Sequence, residues 1–172
     1  MTTYLHALVA EVDAISDEGV AGQLTKLSKP EESETILGRA SPGLLRLYAL
    51  FAQAFEAANA KADEFNVAQL ADERDVDLLE KLHEEHATLD KRLKTLKFAL
   101  WQTVASEYPL PEDASGYGIR ADGDIVAMPK QGRGGMHIIA IDMSGLFGGG
   151  SDDPLGGLFA DLFGRHRGRR PN

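Results

Sequence analysis

Residues 44–108 form a run of sixty-five without a single glycine or proline. Those two residue types interrupt helices most effectively, so the run predicts extended helix over most of its length. Within it, Leu44, Tyr48, Phe51, Phe55, Ala58, Ala62 and Phe65 step alternately by four and three. A second series, Leu79, Leu82, His86, Leu89, Leu93, Leu96 and Leu100, does the same. Each is a heptad seam, a narrow apolar stripe that needs cover from another helix.

The two seams do not share one frame. Continuing the first would bury Gln69 and Asp72, so a turn between about Asn66 and Asp75 is the simplest repair. Asn66 suits the left-handed conformation after a helix end, and Asp75 or Asp77 suits an N-cap, with Glu80 completing a capping box from Asp77. An antiparallel hairpin is therefore expected. The alternative is one continuous helix about 95 Å long at 1.5 Å per residue.

Around this centre the chain changes texture. Leu5, Leu8, Val9, Val12 and Ile15 predict a short amphipathic N-terminal helix that Gly19 and Gly22 close. Residues 23–42 carry Pro30 and Pro42 and read as connector, with a short helix from Glu31 to Leu37. After Pro109 and Pro111, the segments Tyr117–Arg120 and Asp124–Met128 flank Asp122-Gly123, a β-hairpin signal. A third strand is expected at Met136–Met143, and the small sheet should cover Trp101, Val104 and Tyr108. Gly145 and Gly148 to Gly150 read as a tether. Beyond it, Asp153 and Pro154 open a short amphipathic helix with Leu155, Leu158, Phe159, Leu162 and Phe163 on one face.

The expected fold class is thus mainly α: an antiparallel helical hairpin or coiled coil with a short N-terminal helix, a small antiparallel β-meander and a Gly-tethered C-terminal amphipathic helix. The expected organisation is a helical bundle over 1–108, a β cap over 109–143, and a tether with its helix and basic tail over 144–172.

Charge is unevenly distributed. The net charge is −9, yet Arg165, Arg167, Arg169 and Arg170 all fall in the last eight residues. Without those four, 14 basic side chains face 27 acidic ones, a balance of −13. An acidic body repels phosphate backbones, so no nucleic acid is expected on it, while the basic tail suits an acidic surface. From Asp72 to Asp90 acids dominate, and Lys91, Arg92, Lys94 and Lys97 follow with no acid between them. An antiparallel copy would pair the two halves. No basic-then-apolar leader opens the chain, no long apolar run is present, and there are no cysteines; a cytoplasmic protein without a transmembrane segment is the expectation.

Candidate chemistry is sparse. Glu80-x-x-His83 and His83-x-x-His86 place donors one helical turn apart, as ferritin-like di-iron bundles do, and Glu56 on the preceding helix is a further candidate ligand. Divalent metal or iron is the cofactor this would imply. Without it, no cofactor is expected, and His86 is a polar residue setting register on the leucine seam, with His83 and the glutamates on a solvated face. No phosphate-binding loop, nucleophile elbow or His-Glu-x-x-His motif is present, and no catalytic residue is assigned.

The block from Leu78 to Met128, a leucine-seamed helix ending in Trp101 and Tyr108-Pro109 before an Asp-Gly hairpin, broadly resembles small coiled-coil proteins of phages and mobile elements. It covers less than a third of the chain and assigns no residue a role.

The leading expectation is a non-enzymatic interaction protein: scaffold, adaptor or inhibitor. It would self-associate through Leu82, His86, Leu89, Leu93, Leu96 and Leu100. It would dock Leu155, Leu158, Phe159, Leu162, Phe163, Arg165 and Arg167 on a protein partner. The rivals are a metal-binding helical protein using Glu80, His83, His86 and Glu56, and an acidic mimic of nucleic acid that blocks a DNA-binding protein.

Overall fold

Two side-chain caps set the frame of the molecule, whose computed structural model describes residues 2–130. Ser41 accepts a hydrogen bond from the Leu44 amide at 3.2 Å, and Pro42 occupies the first turn of a 28-residue helix. Asp75 accepts one from the Leu78 amide at 3.1 Å and opens a 32-residue helix. Each cap satisfies an amide that the first turn leaves without an intrahelical partner. In chain order the elements are α1 (Thr2–Asp13), α2 (Asp17–Leu24), β1 (Thr35–Arg39), α3 (Pro42–Gln69), α4 (Val76–Glu107), β2 (Ala114–Ile119) and β3 (Asp124–Pro129). The described chain is mainly helical with one small antiparallel sheet.

The chain reverses over residues 70–75, so α3 and α4 lie side by side in opposite directions, with Phe65 beside His83 and Lys61 beside Glu85. Asn66 does not end α3. It lies inside the helix, its carbonyl accepts from the Leu70 amide, and no non-glycine residue among those described has positive φ. Asp75, not an Asp77–Glu80 box, supplies the cap.

The N-terminal region differs from the sequence reading in two places. Gly19 and Gly22 do not close a helix; they lie inside α2, which Ser16 caps by accepting from the Gly19 amide at 3.1 Å. Asp17 and Glu18 in its first turn complement the helix dipole. The expected helix over Glu31–Leu37 is absent, because this segment enters β1 and pairs antiparallel with β3, Ile36 opposite Val126 and Arg39 opposite Asp124. A strand with such a partner satisfies its amides through the ladder, which a marginal seven-residue helix cannot match.

β3 is the central strand, in the order β1-β3-β2, and the Asp122-Gly123 turn joins β2 to it. Gly123 has φ 82°, a value that favours glycine. The third strand therefore comes from before α3. The expected strand at Met136–Met143, the tether and the helix over Leu155–Phe163 with Arg165 and Arg167 lie outside the described residues.

One apolar core joins all the layers. Leu8 and Val12 from α1, Leu44, Leu47, Tyr48 and Phe51 from α3, Leu96, Leu100 and Val104 from α4, and Tyr117 and Ile125 from the sheet are buried in one cluster. The sheet covers the end of α4: Trp101 and Tyr117 meet edge to face at 5.1 Å. The Tyr117 hydroxyl donates to the Tyr108 carbonyl, and the Tyr108 hydroxyl donates to the Arg39 carbonyl at 3.2 Å.

Candidate functional site

Burial along α3 and α4 is lopsided, and the lopsidedness defines a surface. Every buried residue of α3 lies between Leu44 and Ala58, and every buried residue of α4 except Leu82 lies at or beyond Leu96. The N-terminal helices stop short of the turn: Glu11 of α1 pairs with Arg92, and Lys26, just after α2, pairs with Glu56. Beyond those two pairs the helices run on as a two-helix arm that no other element among the described residues covers. At 1.5 Å per residue, the thirteen positions from 57 to 69 reach about 20 Å past the covered body.

At its end the arm is apolar and acidic together. Val67, Leu70 and Val76 are 72%, 84% and 71% exposed, and Leu78 is exposed as well. All four fall in the last turn of α3, its cap or the first turn of α4. Large aliphatic side chains left in water so close together mark a contact surface more often than scattered single ones do. Between Asp63 and Glu85 there are nine acidic side chains against two basic ones, Arg74 and Lys81. Asp63, Asp72, Glu73, Asp77, Glu80 and Glu84 have no ion pair among the described residues.

Along the arm the helices are stitched by charge. Lys61 reaches Glu64 at 2.7 Å on its own helix and Glu85 at 3.0 Å on α4. The hydrogen bonds to Glu64 and Glu85 raise the Lys61 ammonium above the ordinary lysine value. At the base of the arm, the hydrogen bond from Lys26 holds the Glu56 carboxylate below its ordinary value.

The histidine cluster lies midway along the arm. His83 and His86, with Ala62, Phe65 and Asn66, line a shallow hollow of about 250 Å³, and the His83 ring sits 6.2 Å from that of Phe65. Glu80 is exposed. Glu56 is not brought to them: it lies nine residues from Phe65 on α3, about 13 Å along the axis, and is engaged by Lys26. Among the described residues, no three His, Asp or Glu side chains stand where they could hold a metal ion.

The leucine seam is placed mainly inside the chain. Leu82, Leu96 and Leu100 are buried, and Leu89 and Leu93 are half-buried with His86. A second copy would meet the outer faces of the arm. Beside the arm's base, a groove of about 480 Å³ between α1 and α4 is lined by Ala7, Leu8, Glu11, Lys91, Arg92 and Leu96, among others.

A further polar feature carried no signal in the sequence. Arg120, at the end of β2, donates from Nε to Glu34 Oε2 at 2.8 Å and from its other nitrogen to Oε1, and both side chains are buried. Burial holds the guanidinium below the ordinary arginine value. Glu34 also accepts from the Glu31 amide at 3.0 Å. The pair ties the segment leading into β1 to the β2–β3 turn.

No helix among the described residues is long and apolar enough to cross a membrane. Comparison of the chain with protein-family models, with curated proteins and with solved structures finds no match.

Proposed function

We propose that this chain is a non-enzymatic, self-associating interaction protein, acting as a scaffold, adaptor or inhibitor by occupying a surface. The observation that carries the reading is the bare α3–α4 arm with Val67, Leu70, Val76 and Leu78 exposed at its end. Burying an aliphatic side chain of this size is worth about 1.5–3 kcal/mol. Several together offset much of the association cost, so a protein contact at the tip is a reasonable return for leaving it uncovered. The sequence adds a second adhesive element, the stripe of Leu155, Leu158, Phe159, Leu162 and Phe163, which at this length needs a surface to hold helical form.

Light scattering on the full chain tests this reading. The apolar cluster of the described residues lies wholly within 2–130, and a chain lacking 151–172 retains all of it. The full chain is expected to show a multiple of the 18.6 kDa single-chain mass. The shortened chain is expected to show one chain mass and to keep the cooperative helical melt of the core. A full chain that stays at one chain mass from micromolar to high concentration contradicts self-association.

A further inference from the structure

The acidic, apolar tip asks for a ligand that is basic and apolar together, and the chain itself carries one. Leu155, Leu158, Phe159, Leu162 and Phe163 are followed by Arg165, Arg167, Arg169 and Arg170. The groove between α1 and α4 offers such a segment no excess of acid, since Lys91 lines it beside the Glu11–Arg92 pair. The tip, with nine acids against two bases between Asp63 and Glu85, is complementary in both respects.

Geometry decides between the chain's own tip and that of a neighbour. Lys130, the last described residue, is held beside the far end of α4 by its amide, which donates to the Asp113 carbonyl at 3.0 Å, and by its ammonium on the Glu112 carbonyl at 2.6 Å. The tip lies at the other end of α4, thirty-one residues or about 46 Å away. Twenty-four residues separate Lys130 from Leu155, and their full extension is about 80 Å. Docking within one chain would hold them at more than half of that extension.

A second copy laid antiparallel along the arm removes that demand, because each tip then lies toward the end of the other molecule from which the C-terminal segment departs. The charge order of α4 favours the same arrangement. Acids crowd the tip half, while Lys91 and Lys97 of the base half have no ion pair among the described residues. Antiparallel arms set one against the other.

We propose that the arm tip, Val67, Leu70, Val76 and Leu78 with their surrounding acids, is the docking surface for residues 155–170 of a second, antiparallel copy of this chain. This deepens the self-association reading and rests on it.

The absence of cysteine allows a direct test in the full chain. Ala71, exposed beside Leu70, is changed to cysteine in one preparation (Ala71→Cys) and Ala160, inside the apolar stripe, in another (Ala160→Cys). Both changes leave the large apolar and the charged side chains of the proposed contact intact. The two preparations are mixed and treated with a short bis-maleimide. The mixed two-chain product is expected to exceed either homodimer product at least several-fold. It should fall several-fold when Arg165→Glu and Arg167→Glu are added to the tail, and return when Asp72→Lys and Glu73→Lys are added to the tip. No excess of mixed product, or a chain carrying both cysteines that links only to itself, overturns the proposal. If light scattering shows assembly and the mixed product is missing, the docking assignment fails and the self-association reading stands; if the full chain is a single copy, both fail.

Discussion

Arg120 and Glu34 form an ion pair nearly sealed from water, their side chains 8% and 3% exposed, between segments eighty-six residues apart in sequence. Desolvating two charges costs several kcal/mol, and their attraction and hydrogen bonds offset it only while both partners are present. Glu34→Gln leaves the guanidinium buried opposite a neutral amide and is expected to lower unfolding free energy by about 3–5 kcal/mol. Replacing both with well-packed apolar residues (Glu34→Leu with Arg120→Met) is expected to cost clearly less than the single change. Urea denaturation of the original chain, Glu34→Leu, Arg120→Met and the double variant measures the coupling; a double-variant loss equal to the sum of the two single losses would show that the pair is not coupled.

Tyr108 lies against β1, and Gly38 is the residue that lets it approach. A Cβ on Gly38 would stand 2.6 Å from one ring carbon of Tyr108 and 2.8 Å from its hydroxyl. Gly38→Ala must push the ring aside and is expected to destabilise by about 1–3 kcal/mol, in the range of overpacking substitutions. In a Tyr108→Ala background the same change should cost much less. Thermal melts of the single and double variants give the coupling, and additive effects would contradict this close approach.

Buried phenols give the protein an alkaline limit. Burial, with a smaller contribution from Glu56, pushes Tyr48 up to about 12. Burial raises Tyr117 as well. A phenol whose value in the fold exceeds its unfolded value of about 10 keeps its proton more tightly in the native state. Its contribution to stability is complete below about pH 10 and disappears as the pH rises through about 12. Tyrosinate absorbance should therefore rise in at least two steps, the later one coinciding with loss of helical circular dichroism. A single step near pH 10 with the fold intact would contradict the burial of Tyr48.

The sequence makes the helices legible because their signals are local. The absence of Gly and Pro from 44–108, the slip between the two seams and the capping chemistry of Asp75 each report on a few neighbouring residues. The Asp122-Gly123 turn is local in the same sense, since Gly123 needs a left-handed φ. β1 was not legible: Thr35–Arg39 is a strand because β3, ninety residues later, offers it a ladder. Gly19 and Gly22 mislead for a related reason. Intrinsic preference disfavours glycine in a helix, but Ser16 caps α2 and packing on the bundle holds it. Of the candidate site, the charge order along α4 could be read directly. The bare arm could not, because the heptad spacing is the same along its covered and uncovered parts and only the ending of α1 and α2 near Glu11 and Lys26 separates them.

The central claim is that the end of the α3–α4 arm is where copies of the chain meet. Leu70 and Val76 are so exposed that Leu70→Asp with Val76→Asp should leave the single-chain fold within about 0.5 kcal/mol of its original stability. Light scattering of this double variant beside the unchanged chain, at matched concentrations, is the most direct test. The prediction is a multiple of 18.6 kDa for the unchanged chain and one chain mass for the variant, with the same cooperative helical melt of the core. Equal masses for the two would contradict it.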